Sequence, residues 1–380
     1  MWARFRGMAL LGRTLWGLLV VVCVAREARA DARDPGADFD GPLGVLQLHP
    51  IRQSLLDVMN RGSVAHPWLR AERNVGNIWN SETHLSLGSG RRALHMVDGQ
   101  QESLVLDAGI PVGRFLALGV RGGMSRMWGG GPVDQSIEDF HRQFDFYNFS
   151  RHHAPANRTS IILESDGKRL LTWHGNVAYL QNVVLTTYLR ALENRTTRVM
   201  VRSDVRVPTG DISRALGLLR PEAAVGISVW RRFRRVLAFH LAGAAIWHGN
   251  RELAGLKVEE VQLDGEVSLE LRLSPWLSLV AEDKLQSPLF QRTKTHVLAQ
   301  DSLPLRATAW NGYFTPVNII TGGARLRLPD GTHLSVFVGE DFMFCTACWR
   351  ERYSRETNSP DISLSLVVAK SLSVTTGGPP

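Results

Sequence analysis

The chain of 380 residues is short of cysteine, with 3, of aromatic residues, at 8%, and of charge, at 21%. With so few cysteines there is no second C-x-x-C to complete a zinc site. No uninterrupted apolar run reaches the roughly twenty residues of a membrane-spanning helix. Missing too are a P-loop, a dinucleotide-binding fingerprint, a zinc-protease helix and an EF-hand loop, and the G-x-S-x-G nucleophile turn. The sequence therefore supports no cofactor and offers no catalytic motif. What it does contain is apolar residues, at 44%, with 35 Gly and 17 Pro. That apolar share rules out a fibrous, collagen-like or disordered chain.

A formal charge of +8 and a pI near 9.8 invite a nucleic-acid reading. The first thirty residues weaken it. Arg4, Arg6 and Arg13 precede an apolar run from Leu15 to Ala25, and Ala28-Arg29-Ala30 follows. A basic start, a short apolar core and an A-x-A site make a secretory signal peptide over residues 1–30. Cys23 follows Val21 and Val22 rather than a small residue, so lipidation is not expected. The leader holds five Arg and one Glu, which is half of the +8. What remains is dispersed, and no nucleic-acid partner is expected. Cys345 and Cys348 remain, in an oxidising compartment.

Along the rest of the chain, side chains alternate. Val199, Val201, Val205 and Val207 share one face, while Arg198, Arg202, Asp204 and Arg206 share the other. From Val261 to Leu273 nearly every odd position is apolar, and Gln262, Asp264, Glu266, Ser268, Glu270 and Arg272 lie between them. Period two is the signature of strands with one apolar and one polar face. Similar segments lie near Ile78–Leu87, Glu102–Ile110, Arg114–Ser125, Val177–Leu189, Glu222–Trp230, Arg235–His248, Leu277–Gln286, Pro316–Leu328, Thr332–Met343 and Asp361–Lys370. A shorter hairpin, Ser160–Ser165 with Lys168–Trp173, turns at Asp166-Gly167.

A soluble sandwich turns the apolar face inward, and an outer-membrane barrel turns it to lipid. Strand length favours the barrel, because tilted membrane strands need about nine to eleven residues and soluble ones average about five or six. So do the connections, which alternate between short turns and long loops such as Gly88–Gln101, Arg126–Thr159, Ser287–Thr315 and Phe344–Pro360. Two connections blur that rhythm, His174–Asn176 and Arg190–Thr197. Trp79, Trp128, Trp173, Trp230, Trp247 and Trp276 fall near strand ends, where interfacial girdles sit. The expected class is all-β, a transmembrane antiparallel β-barrel of about 12–14 strands with one short helix in a long loop. Residues 31–76 form an N-terminal segment leading into the barrel, and residues 77–376 form the barrel.

Ile137-Glu138-Asp139-Phe140-His141, after the glycine run Gly129–Gly131, resembles a family of bacterial outer-membrane proteins known as domain of unknown function 3187. Gly41-Pro42-Leu43 with His49-Pro50, the Asp166-Gly167 hairpin, Val207-Pro208-Thr209-Gly210-Asp211, Glu340-Asp341-Phe342 and Ser359-Pro360-Asp361 follow the family's order across nearly the whole mature chain. The resemblance implies an exported barrel of Gram-negative bacteria with no settled activity. The chain departs from the pattern in its expanded Cys345–Asn358 loop and in its Thr376-Gly377-Gly378-Pro379-Pro380 ending, which lacks a terminal aromatic.

Ser136-x-x-Asp139 reads as a capping box. Val133, Ile137, Phe140, Phe144 and Tyr147 then recur at spacings of three and four, an amphipathic helix near 133–148. Ile137, Glu138, Asp139, Phe140, His141 and Phe144 would belong to a plug in the lumen, a lid over the mouth, or a helix packed on the rim. His141 beside two carboxylates does not by itself make a catalytic base. Cys345 and Cys348 fit a small local disulfide. The lumen-facing charges are Arg198, Arg202, Asp204, Arg206, Glu266 and Glu270, with Arg325, Arg327 and Asp283 on other strands. No metal site is expected, and the partners are outer-membrane lipid and the barrel-assembly machinery. The leading expectation is passive transport of a small or lipid-like molecule. The alternatives are a structural or surface-interaction barrel without a pore and, third, an outer-membrane hydrolase.

Overall fold

The computed structural model describes residues 43, 50–53, 55–56, 64–88, 90–129, 139, 143, 159–194, 196–233, 236–291, 296–299, 316–341 and 362–372. The strands are β1 (Trp68–Gly88), β2 (Arg91–Pro111), β3 (Leu116–Trp128), β4 (Ser160–Ser165), β5 (Lys168–His174), β6 (Val177–Leu180), β7 (Val183–Glu193), β8 (Thr197–Val207) and β9 (Glu222–Phe233). They continue as β10 (Leu237–Trp247), β11 (Glu252–Leu253), β12 (Leu256–Lys257), β13 (Val261–Arg272), β14 (Leu277–Gln286), β15 (His296–Ala299), β16 (Val317–Arg327), β17 (Thr332–Asp341) and β18 (Ile362–Ser371). Two short helices join them, α1 (Pro50–Gln53) and α2 (Asp211–Ala215).

Twelve strands close a ring in the order β1, β2, β3, β7, β8, β9, β10, β13, β14, β16, β17, β18. All neighbours are antiparallel, and β1 returns to β18 through Trp68↔Ser371 to Asn77↔Ile362. A closed ring has no edge and pairs its backbone groups internally, the condition for a sheet in hydrocarbon. The Asp166-Gly167 hairpin, β4–β5, does not enter the wall. It pairs with the outer half of β2, from Ala93↔Ser165 to Asp98↔Ser160, so the strand number is twelve and not fourteen.

The barrel starts earlier than its sequence pattern suggests. β1 begins at Trp68 rather than near residue 77, and its ring-closing pairs with β18 lie over 68–77. Beyond them β1 and β2 continue as a long hairpin past the rim, joined by β4 and by β15. The segment expected as the loop Gly88–Gln101 is therefore mostly strand. Ala93, His95 and Val97 on one of its faces are buried, and the run Asp98, Gly99, Gln100 and Gln101 is buried throughout, which breaks the apolar–polar alternation. The expected Arg190–Thr197 connection is also shorter, since β7 runs to Glu193 through a register shift between Arg190 and Leu192.

Inside the band the two faces separate by parity. On β13, Gln262, Asp264, Glu266, Ser268 and Glu270 are buried in the lumen, while Leu263, Val267, Leu269 and Leu271 are exposed outside. On β14, Ser278, Glu282, Lys284 and Gln286 point in, and Leu279 and Leu285 point out. Asp283, expected inside, shares the parity of Leu279 and Leu285 and points out. Trp247 and Trp276 face outward at opposite ends of the band. Trp173 instead packs against the buried apolar cluster at the loop end, and the side chain of Trp79 lies outside the described residues.

Short turns collect at one end, the periplasmic end by the general rule for such barrels. There Asp330 accepts hydrogen bonds from Thr332 N (3.1 Å), Thr332 Oγ1 (2.9 Å) and Lys370 Nζ (2.9 Å). The Lys370 ammonium, with the turn amide, pulls the Asp330 carboxyl down to about 2.

The lipid face makes a direct prediction. Leu241→Arg, at the middle of the outer face of β10, is expected to cost about 2–4 kcal/mol of stability, and Leu237→Arg, beside the turns, about 0–1 kcal/mol. Urea unfolding in phosphatidylcholine vesicles reads both. Equal losses would mean that this face does not meet a hydrocarbon gradient.

Candidate functional site

The lumen is the candidate site, and it has three layers. At the turn end lies a polar floor. Glu270 accepts from Arg325 Nη1 (2.7 Å) and also bonds Arg327, which donates to Ser278 Oγ (2.7 Å). Arg70 pairs with Glu72. Arg202 Nη2 lies 2.8 Å from Asp204 Oδ2. Trp68 stands among these groups, edge-on to Tyr188 at 5.6 Å between ring centres, with Nε1 donating to Asp107 (3.4 Å). Gly109 makes room for it, since a Cβ there would lie 1.9 Å from the indole.

Of the charges assigned to the lumen by parity, Arg202, Asp204, Arg206, Glu266 and Glu270 are buried within it. Arg198 is not among them. It sits at the second residue of β8, at the turn end of the wall, reaching Glu193 (3.1 Å) and the face of Trp230 (6.0 Å). It belongs to the rim.

The middle layer is the N-terminal segment. Leu43 N donates to Glu282 Oε2 (2.5 Å), and Arg70 Nη2 donates to the Leu43 carbonyl (3.2 Å). Leu43 packs in one cluster with Val280, Ile319 and Phe337 of the inner wall. Further along, Arg52 Nη1 donates to Gln286 Oε1 (3.4 Å) and Leu56 N to Glu222 Oε2 (2.7 Å). Glu222 is a hub, taking Arg206 Nε (2.9 Å), with His248 Nδ1 also at 2.9 Å. Val64 lies back at the floor beside Trp68 and Tyr188. The described points of the segment thus run from mid-lumen to the loop end and return to the turn end, where β1 starts. Among the described residues this segment is what occupies the lumen; the helix expected near 133–148 as a plug, lid or rim element falls almost wholly outside them. Ile137, Glu138, Phe140, His141 and Phe144 lie outside the described residues, as do Cys345 and Cys348, and Asp139 is a helical residue.

The third layer is apolar. At the loop end, Ile51 and Leu55 of the N-terminal segment join Tyr179, Ile212, Leu218 and Phe290 in one buried cluster, with β4, β5, β11 and β12 supplying more of its walls. Buried carboxylates and guanidinium groups below and a packed apolar cluster above make the lumen strongly graded. No group of three metal-ligating side chains occurs among the described residues. Ser160 Oγ lies 3.1 Å from His174 Nδ1 across the β4–β5 pair, but no carboxylate orients that imidazole among the described residues.

The closed ring, its apolar exterior and its polar, occupied interior define a membrane-spanning β-barrel of the outer-membrane kind. A family model described as a protein of unknown function, DUF3187, matches residues 96–368, and the chain belongs to that family. No curated protein sequence matches it. Among solved structures, the COG4313 outer membrane channel from Pseudomonas putida F1 is 12% identical, with 83% of this chain and 100% of that one covered at a TM-score of 0.46. The NanC porin is 7% identical over 80% and 100%, at 0.43. A Pseudomonas aeruginosa FadL homologue is 9% identical over 85% and 92%, at 0.39.

Proposed function

We propose that this protein is a passive channel for small apolar or lipid-like molecules, closed in this conformation by its own N-terminal segment. The carrying observation is the packed apolar cluster at the loop end, an apolar chamber filled in this conformation by Ile51 and Leu55 of the segment that the wall grips through two backbone amides, Leu43 N and Leu56 N. Apolar solutes partition into such a chamber without any directional contact. The wall carboxylates Glu282 and Glu222 hold the segment by backbone amides, and Arg52 and Gln53 add side-chain hydrogen bonds to Gln286, Ser125 and Tyr179. In this reading the leader exports the chain, the barrel-assembly machinery folds it, and its outer face meets outer-membrane lipid.

The test is uptake of N-phenylnaphthylamine by Gram-negative cells expressing the protein. Uptake is expected to be faster than in cells carrying an empty vector. Equal uptake, with the folded barrel shown in the membrane by heat-modifiable gel mobility, would favour the closed structural barrel and sink the channel.

A further inference from the structure

The wall is interrupted in one place among its described strands. β7 pairs with β3 from Leu116↔Leu189 to Arg121↔Val184, and β6 takes over from Met124↔Leu180 to Met127↔Val177. Gln181 and Asn182 stand between the two, and Gln181 N donates to the Gly123 carbonyl (3.0 Å), so the β3 side is bridged. On the opposite side, β8 pairs with β7 only as far as Val183↔Val207. Pro208 follows and has no amide hydrogen to carry the ladder on. β6 therefore has β3 on one flank and no strand on the other.

This seam lies at the loop-end edge of the lipid band, just beyond the level at which Val205 pairs with Ala223 and Ala223 with Trp247. Leu104, Met124, Leu185 and Val205 are exposed around it. Just above, Arg126 stacks on Trp128 at 4.3 Å, a pair typical of the membrane interface. Backbone groups left open at this depth are costly, and one loop closes them with side chains. Asp211 Oδ2 accepts from Leu180 N (3.0 Å), and Thr209 Oγ1 from Val183 N (2.9 Å). Asn182 Oδ1 accepts from Gly210 N (2.8 Å), and Asn182 Nδ2 donates to Ser213 Oγ (2.8 Å). The fit is tight at Gly210, where a Cβ would stand 2.9 Å from Asn182 N, Asn182 Oδ1 and the Leu180 carbonyl.

Directly behind the seam are Tyr179 and Ile212 of the apolar chamber and the N-terminal segment. Gln53 Oε1 accepts from Tyr179 Oη (3.1 Å) and Ser125 Oγ (3.2 Å), and Ser125 Oγ accepts from Gln181 Nε2 (2.8 Å). A void of about 10 Å³, room for about one water, separates Pro50 and Gln53 from Asn182, Gly210 and Ile212.

We infer that the seam between β6 and the Thr209-Gly210-Asp211 loop is a lateral portal, through which a small apolar molecule passes between the chamber and the outer leaflet. The inference rests on the channel reading and adds its route. An apolar solute leaving the chamber downward must cross the floor, past the Arg325–Glu270–Arg327, Arg70–Glu72 and Arg202–Asp204 pairs that surround Trp68 and Tyr188. Sideways it meets acyl chains. The latch is four hydrogen bonds instead of a ladder, and Gln53 ties it to the segment that closes the lumen.

The experiment compares the parent with Gly210→Ala, Asp211→Ala and Gln53→Ala in full-length protein, each checked for heat-modifiable mobility. Each change disturbs at least one hydrogen bond of the closed state, which moves a closed–open equilibrium about fivefold. N-phenylnaphthylamine uptake is expected to rise by about that factor, while hydrolysis of external nitrocefin by a periplasmic β-lactamase stays at the parent's rate. A parallel rise in nitrocefin hydrolysis overturns the portal, since it shows an axial pore. So does unchanged naphthylamine uptake in all three variants. A second readout does not depend on transport. In vesicles containing diazirine-tailed phosphatidylcholine, the peptides bearing Tyr179 and Ile212 are expected to label more strongly in Gly210→Ala and Asp211→Ala than in the parent, with Leu263 on the outer face labelled alike. Uniform labelling overturns the portal even if the parent transports the probe. A parent that transports nothing while the variants label at Tyr179 overturns the channel and leaves the portal.

Discussion

Deleting residues 43–56 turns the protein into a pore that carries ions across a planar bilayer in discrete steps, where the full-length chain is silent. The wall survives the deletion because its ring closes through β1 and β18, with the last pair at Trp68↔Ser371. The loss is confined to the lumen. Glu282 and Glu222 lose the amides of Leu43 and Leu56, and Ile51 and Leu55 leave the apolar chamber. Burial of each of those two side chains contributes about 1.5–3 kcal/mol, so the deleted barrel melts earlier but remains a barrel. What it exposes is a floor of paired charges, Arg202 with Asp204 and Arg325 and Arg327 with Glu270. Those pairs hold both signs, and weak ion selectivity is expected. A deletion variant that shows heat-modifiable mobility and stays silent would mean that another segment fills the lumen, and the channel reading would fall with it.

Much of the ring was legible because a membrane strand is a strict object. Leu263, Val267, Leu269 and Leu271 against Asp264, Glu266 and Glu270 cannot be placed any other way once one face meets lipid. The same rule has no force outside the band. The outer hairpin of β1 and β2 was hidden because the buried positions of its β2 half mix polar with apolar residues, His95, Asp98, Gln100 and Gln101 beside Ala93 and Val97. Asp283 was misplaced when a charge was taken as evidence of direction, whereas its parity with Leu279 and Leu285 decides. The occupant of the lumen was hidden for a different reason. α1 has four residues, too few to show a period, and Leu43, the Ile51 and Leu55 pair, and Leu56 pack into three separate clusters. The Val207-Pro208-Thr209-Gly210-Asp211 motif was visible as a run of family residues with no role. Its partner Asn182 is 28 residues away, and no local pattern joins them. Arg198 obeyed its alternation and still missed the lumen, because it stands at the turn end of β8, where Glu193 and Trp230 hold it at the rim.

The second large effect tests what fills the floor. Glu270 is shared by Arg325 and Arg327, and all three are buried. If the segment above keeps the floor dry, Glu270→Ala removes the carboxylate from two guanidinium groups that cannot reach bulk water. Removing one partner of such a pair costs about 3–5 kcal/mol. In a water-filled lumen the same change costs about 0–1 kcal/mol, as for an exposed pair. Urea unfolding in vesicles separates these ranges. Glu270→Gln keeps the two acceptor directions in part and should fall between them. Carried out on the deletion variant as well, the measurement becomes a cycle. With residues 43–56 removed, water enters, and the penalty for Glu270→Ala should shrink toward the exposed value. A penalty that is equally large with and without the segment would show that the wall alone desolvates Glu270. The N-terminal segment would then close the passage without drying it, and the grip on Leu43 and Leu56, not the charge floor, would set how readily it opens.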